Sequence, residues 1–123
     1  WVQALDAVVV PRLDLEVART GTPQKPVEGL ALGRAVIISD LPALREAVTA
    51  ADGTLCAVTH TAGSAEELAD AIIDLASDPE RAARLVEQGG ELAAGRTWSA
   101  LVQRYGTLYT DLLAQHQEEP ARG

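Results

Sequence analysis

The chain has no phenylalanine and no methionine, a single lysine and a single cysteine among its 123 residues, and aromatics make up only 3%. A core built without large side chains rests on Val, Leu, Ile and Ala, which brings packed elements close together. One cysteine, Cys56, excludes an internal disulfide and fits a reducing, cytoplasmic compartment. Basic residues are also scarce: Lys and Arg total 10 against 18 Asp and Glu, a net charge of −8. Ten scattered cations do not form the clustered surface that nucleic acid requires, so no nucleic-acid partner is expected. His60 and His116 are far apart and no Cys-x-x-Cys or His-x-x-x-His spacing occurs, so no metal site is expected. No apolar run reaches spanning length and no signal peptide is visible.

What is present is an alternation of short apolar runs and helical patterns. Ala7-Val8-Val9-Val10, ended by Pro11, and Ala35-Val36-Ile37-Ile38-Ser39 are continuous apolar runs, the mark of strands buried on two faces. Thr54 to Val58 is a weaker third strand. Arg12 to Gly21 is polar and irregular and is expected to be a loop. Pro23 or Pro26 marks a helix's first turn and Gly33 its C′ end. Asp40-Leu41-Pro42 opens a second helix, with Asp40 as its N-cap. Residues 1–60 therefore read as a β-α-β-α-β unit, part of a nucleotide-sugar-binding domain on the resemblance given below. The expected fold class is α/β, a partial Rossmann-like parallel sheet of about three strands with a helical C-terminal tail.

Residues 61–123 are helical throughout and are expected to pack on that unit. Ser64-Ala65-Glu66-Glu67 is a capping box, and Asp78-Pro79-Glu80 is a second N-cap followed by proline. The second of these helices is expected to fray near Gly89-Gly90, and Thr97-Trp98-Ser99 to begin a last helix with Trp98 and Tyr105 as packing anchors. The polar tail from Gln115 is expected to fray. The chain opens on Trp1 and enters its first strand almost at once, as expected of a piece of a longer protein. With three strands and one face uncovered, such a piece is marginal, and its exposed edges favour dimerisation.

The most informative stretch runs from Thr22 to Gly33 and holds the lone lysine, Lys25, three positions before Glu28. A strand, a loop and a helix start carrying Lys and Glu suit a phosphorylated ligand. Unpaired N–H groups and the helix dipole favour an anion there, and a carboxylate accepts hydrogen bonds from ribose hydroxyls. On spacing alone, Glu28 is better read as a first-turn glutamate that complements the dipole, and the alternative for Lys25 is a solvated lysine.

Taken in order, the segments Asp6 to Pro11, Thr22 to Gly33, Arg34 to Glu46, Ala65 to Ala69, Ser77 to Glu80 and Thr97-Trp98 resemble the C-terminal, donor-binding domain of a family 4 (group 1) glycosyltransferase of the two-Rossmann-domain, GT-B type. The resemblance implies a retaining transferase that moves a sugar from a nucleotide-sugar donor, such as a UDP- or GDP-sugar, to a glycan, lipid or small-molecule acceptor. It implies no resident cofactor and no strictly required metal, because the helix dipole and basic residues stabilise the leaving diphosphate. Donor binding falls on Gly21, Thr22, Lys25 and Glu28, with Arg12 and Thr20 as further candidates, and no catalytic residue is named. The partner implied is a missing N-terminal domain of the same protein, without which this chain is inactive. The resemblance leaves room for peripheral membrane association of the intact protein.

Two departures qualify it. The family usually carries two glutamates eight positions apart; Glu28 matches the second, but the first position is Thr20, so the donor sugar is not inferred. Gly29 stands where alanine is common, at about 1 kcal/mol in helix propensity. Two rivals stay open: a sugar-nucleotide epimerase of similar architecture, and a non-catalytic scaffold with a degenerate donor loop. A dinucleotide dehydrogenase is disfavoured because no Gly-x-Gly-x-x-Gly follows a strand. Asp40 as a catalytic acid, His60 as a catalytic loop histidine and Cys56 as anything but a small buried hydrophobe are all the weaker readings of those residues.

Overall fold

A computed structural model describes residues 2–21 and 23–118. Its described residues divide into two compact units, one up to Ala93 and one from Ala94 onward. In the first, a short 3-10 turn at Val2–Ala4 leads into strand β1 (Ala7–Val10). Helices α1 (Glu16–Thr20) and α2 (Lys25–Ala31), strand β2 (Ala35–Ser39), helix α3 (Pro42–Val48) and strand β3 (Val58–His60) follow. Helices α4 (Ala65–Ser77) and α5 (Pro79–Ala94) come next, and α6 (Trp98–Glu118) forms the second unit.

The three strands are parallel, in the order β1-β2-β3. Every residue of β2 is buried, as its unbroken apolar run requires of a central strand. Alternation along it feeds two cores. Val36 and Ile38 join Leu30, Leu44, Val48 and Cys56 on one face, while Ala35 and Ile37 join Val58, Ala71 and Leu75 on the other. Both faces of the central strand are therefore packed, while at the edge strand β1 Val9 is left exposed.

The small side chains permit close approach at two glycines. A Cβ on Gly29 would lie 3.0 Å from Val36 Cγ2 and 3.2 Å from Val8 Cβ, so glycine lets α2 settle onto the sheet. A Cβ on Gly89 would overlap Leu30 Cδ2. This accounts for one correction: α5 does not fray at Gly89-Gly90 but runs unbroken to Ala94, because Gly89 is where it seats on Leu30.

Helix α2 ends as expected. Gly33 has φ of +68°, its N–H donates to the Leu30 carbonyl at 3.0 Å, and the Arg34 N–H donates to the Gly29 carbonyl at 3.0 Å. That pair of bonds is a Schellman motif. The N-cap of α5 matches, with the Arg81 N–H donating to Asp78 Oδ1. At α4 the Glu67 N–H donates to Ser64 Oγ, but the capping box does not close, because the Glu67 carboxylate takes the Thr61 N–H and the Ser64 N–H donates to the Thr61 carbonyl.

Three other expectations are corrected. The third strand lies at Val58–His60; Leu55 instead forms an isolated antiparallel bridge with Thr49, and the Cys56 N–H donates to the Val48 carbonyl. The segment Arg12 to Gly21 contains helix α1, whose entry is tied by a two-pronged Arg19–Asp14 pair at 2.5 and 2.6 Å. Asp40 does not cap α3: Leu41 holds the N-cap position, and the Asp40 carboxylate takes both prongs of Arg45.

In the second unit, Thr97 Oγ1 accepts from the Ala100 N–H and starts α6. Tyr105 stacks on Tyr109 one turn on, with centroids 6.4 Å apart, while Trp98, expected as an anchor, stands 82% exposed. Gln115 to Glu118 remain helical, and 119–123 lie outside the described residues.

Candidate functional site

Parallel sheets present ligands at the carboxyl ends of their strands, where the chain leaves for the next helix. Here those ends are stitched together by one buried hydroxyl. Ser39 closes β2 and is fully buried. Its Oγ accepts the Arg12 N–H at 2.7 Å and donates to the Arg12 carbonyl at 2.9 Å, gripping the chain just beyond β1 at both backbone groups.

The same oxygen lies 3.3 Å from Nε2 of His60, its register partner on β3. Nδ1 of His60 faces the Thr61 carbonyl at 2.9 Å. A carbonyl only accepts, so Nδ1 carries a hydrogen there. In neutral His60, Nε2 is then an acceptor and shares the single Ser39 proton with the Arg12 carbonyl. The Asp40 N–H donates to the His60 carbonyl at 2.7 Å and completes the seam between β2 and β3. His60 is thus a buried strand-end residue, 4% exposed, and not the loop histidine expected.

Arg12 and His60 line a cavity of about 210 Å³ with Pro11, Leu13, Gly63, Ser64, Ala65 and Leu68, where α4 begins. Its wall is largely apolar. The α4 N-terminus is already served by an acid: the Thr61 N–H donates to Glu67 Oε2 at 2.7 Å, and this bonding holds the Glu67 carboxyl below its ordinary range. The cation available here is the exposed Arg12.

The second cluster is on α2. Lys25 is its first residue and Glu28 follows three positions later, both exposed. Residues at that spacing share one helix face, with Cβ atoms roughly 5–6 Å apart. Gln24 holds the N-cap without a side-chain bond, and Pro26 sits in the first turn without an N–H.

Gly21 and Thr20 lie at the end of α1, ahead of this helix start. Gly21 is the C-cap of α1, its N–H donates to the Val17 carbonyl at 3.2 Å, and its φ is an ordinary −75°. Thr20 ends α1, and its hydroxyl donates to the Glu16 carbonyl at 3.2 Å. Both groups are engaged within α1 because α1 occupies what was read as a loop. Thr22 lies outside the described residues.

Ser39 and His60 were missed as members of the site. The sequence signal for Ser39 was a hydroxyl closing an apolar strand, but nothing local tied it to residues 27 and 21 positions away. Among the described residues no group of three or more His, Cys, Asp and Glu could hold a metal ion, and no helix is long and apolar enough to cross a membrane.

Residues 1–78, from β1 through α4 and thus every element of this site, match the family described as glycosyl transferases group 1. The chain belongs to that family. Among solved structures, it is similar to sucrose-phosphate synthase from Thermosynechococcus elongatus, at 26% identity and a TM-score of 0.65. The match covers 93% of this chain and 27% of that one, so the chain spans about a quarter of its relative's length. No curated protein matches. The fold is that of a GT-B glycosyltransferase fragment, in agreement with the α/β architecture expected from the strand and helix pattern.

Proposed function

We propose that this chain is the C-terminal, donor-binding part of a family 4 glycosyltransferase. In this reading the longer protein transfers a sugar, with retention of configuration, from a nucleotide-sugar to an acceptor held against its other domain. Glu28 accepts hydrogen bonds from the nucleotide's ribose hydroxyls. Lys25, on the same face of α2, and Arg12, at the end of β1, supply positive charge to the diphosphate. Stabilising that leaving group electrostatically is the main catalytic task of such a site. The acceptor side and the rest of the donor pocket come from residues outside this chain, so the fragment alone is inactive.

The observation that carries the reading is the family match across the whole strand-and-helix unit, with Lys25 and Glu28 left exposed together on α2. In this reading the donor also faces Gly21 and Thr22, with Thr20 before them; the Gly21 N–H and the Thr20 hydroxyl also bond within α1.

Calorimetric titration of the longer protein with UDP, GDP and ADP tests it. Selective binding of one nucleotide is expected, and Glu28→Ala weakens it by about 1–3 kcal/mol, the scale of a lost hydrogen bond to a charged group. A folded protein that binds none of the three would refute the donor reading and favour a degenerate scaffold. Unchanged affinity in a folded Glu28→Ala variant would remove Glu28 from the site.

A further inference from the structure

We propose that Ser39 and His60 are positioning residues for the donor site: together they lock the backbone of residue 12 so that the Arg12 guanidinium is held ready for the phosphate oxygens of the nucleotide-sugar. This rests on the donor reading above. The geometry is unlike an ordinary strand end. Ser39 Oγ engages both the N–H and the carbonyl of Arg12, at 2.7 and 2.9 Å, across 27 residues of sequence.

A serine hydroxyl has one proton and two lone pairs. The Arg12 N–H takes one lone pair, and the single proton is shared between the Arg12 carbonyl and His60 Nε2, which lies at 3.3 Å. His60 in turn is anchored through Nδ1 on the Thr61 carbonyl and is 4% exposed. The charged groups facing this seam are Arg12 itself, Asp40, which is taken up by Arg45, and Glu67, which is taken up by Thr61. Among the described residues, Arg12 is the exposed cation of the seam that forms no ion pair. A buried polar pair fixing the backbone beneath an exposed cation lowers the ordering cost that a flexible arginine pays on binding.

The test is a double-mutant cycle in the longer protein, read by calorimetric titration with UDP and GDP well below the melting temperature. Ser39→Ala is expected to weaken binding of the preferred nucleotide about fivefold and Arg12→Ala about tenfold, within the range of charge-assisted hydrogen bonds. The double variant should be no weaker than Arg12→Ala alone, because the clamp acts through that side chain. Ser39→Cys keeps the volume with a poor hydrogen-bonding group and carries the same test if Ser39→Ala does not fold.

Losses that add in the double variant, or a Ser39 variant that melts lower but binds as wild type, would overturn the proposal and leave Ser39 a stability residue. If the wild-type protein binds neither nucleotide, the donor reading itself falls and takes the clamp's role with it. Binding by wild type with no loss in the Ser39 variants removes the clamp alone.

Discussion

Adjacent glycines in α5 offer a controlled test of how α5 meets α2. A Cβ on Gly89 would overlap Leu30 Cδ2 and lie 3.3 Å from its Cγ and 3.4 Å from its Cβ. Leu30 is 1% exposed and belongs to the core that includes Val36 and Leu44, so it has little room to yield. Gly90, one position on, has nothing within 4 Å of a built Cβ. Both are helix-interior glycines with ordinary φ, so replacing either by alanine gains the same propensity, about 0.5–1 kcal/mol. Only Gly89→Ala adds overpacking, which costs about 1–3 kcal/mol.

The difference between the two variants cancels propensity and reports the contact directly. Gly90→Ala should raise the melting temperature, and Gly89→Ala should melt below it by about 4–8 °C per kcal/mol of clash. Thermal melts followed by circular dichroism, with urea titrations beside them, measure this. Equal shifts in both variants would refute the argument, because α5 would then not seat on Leu30 as described. On the donor reading, Leu30 shares α2 with Glu28, so a displaced Leu30 should also weaken nucleotide binding in the longer protein, whereas Gly90→Ala should leave it unchanged.

Two further outcomes are expected. Ser64→Ala removes the hydroxyl that accepts the Glu67 N–H at 3.2 Å and should cost about 0.5–2 kcal/mol in urea denaturation, while Ser64→Asp should cost little; equal losses would show that the cap contributes nothing. Asp14, Asp40, Asp52 and Glu67 are all held below their ordinary values of 3.8 or 4.5, the first two by arginine hydrogen bonds and the others by bonds from Thr54 and Thr61. A depressed folded-state value gives stability that is present above the unfolded value and lost as pH falls through the folded one. The melting temperature should therefore hold near neutrality and fall on acidification below about pH 4, with a shallower fall in Glu67→Gln; an unaltered acid limb in that variant would count against the Thr61–Glu67 contact.

What was legible in the sequence was whatever burial writes along the chain itself. β2 is an unbroken apolar run because sheet neighbours and helices bury all of it, whereas β1 carries the same pattern as an edge strand with Val9 exposed, so its run overstates its burial. The caps at Ser64, Asp78 and Thr97 and the Gly33 stop are local chemistry at fixed offsets. The third strand was misplaced because burial alone does not specify pairing. Cys56 and Ala57 are as buried as a strand, but the chain spends them on a turn toward Val48 before it joins the ladder. Helix α1 was illegible because five residues carry no period, and its tie, Asp14 to Arg19, is made by side chains across its entry. Gly89 looked like a helix breaker because its reason is Leu30, nearly 60 positions earlier.

The seam of Ser39 and His60 depends on something no local pattern encodes, the register between β2 and β3. Ile37 opposes Val58, Ile38 opposes Thr59 and Ser39 opposes His60. Side chains alternate along a strand, so Ile37 and Ser39 share a face, as do Val58 and His60. That face is the one covered by α4 and α5, where Ile37 and Val58 pack with Ala71 and Leu75. The apolar partners that fix the register thus bring serine to histidine at the strand ends beside the start of α4. A slip of one residue would carry both polar groups away from each other and turn Ile37 out of its core. The register that fills this core is therefore the same one that holds the chain beneath Arg12, and core substitutions that loosen β2 against β3 should weaken ligand binding before they unfold the domain.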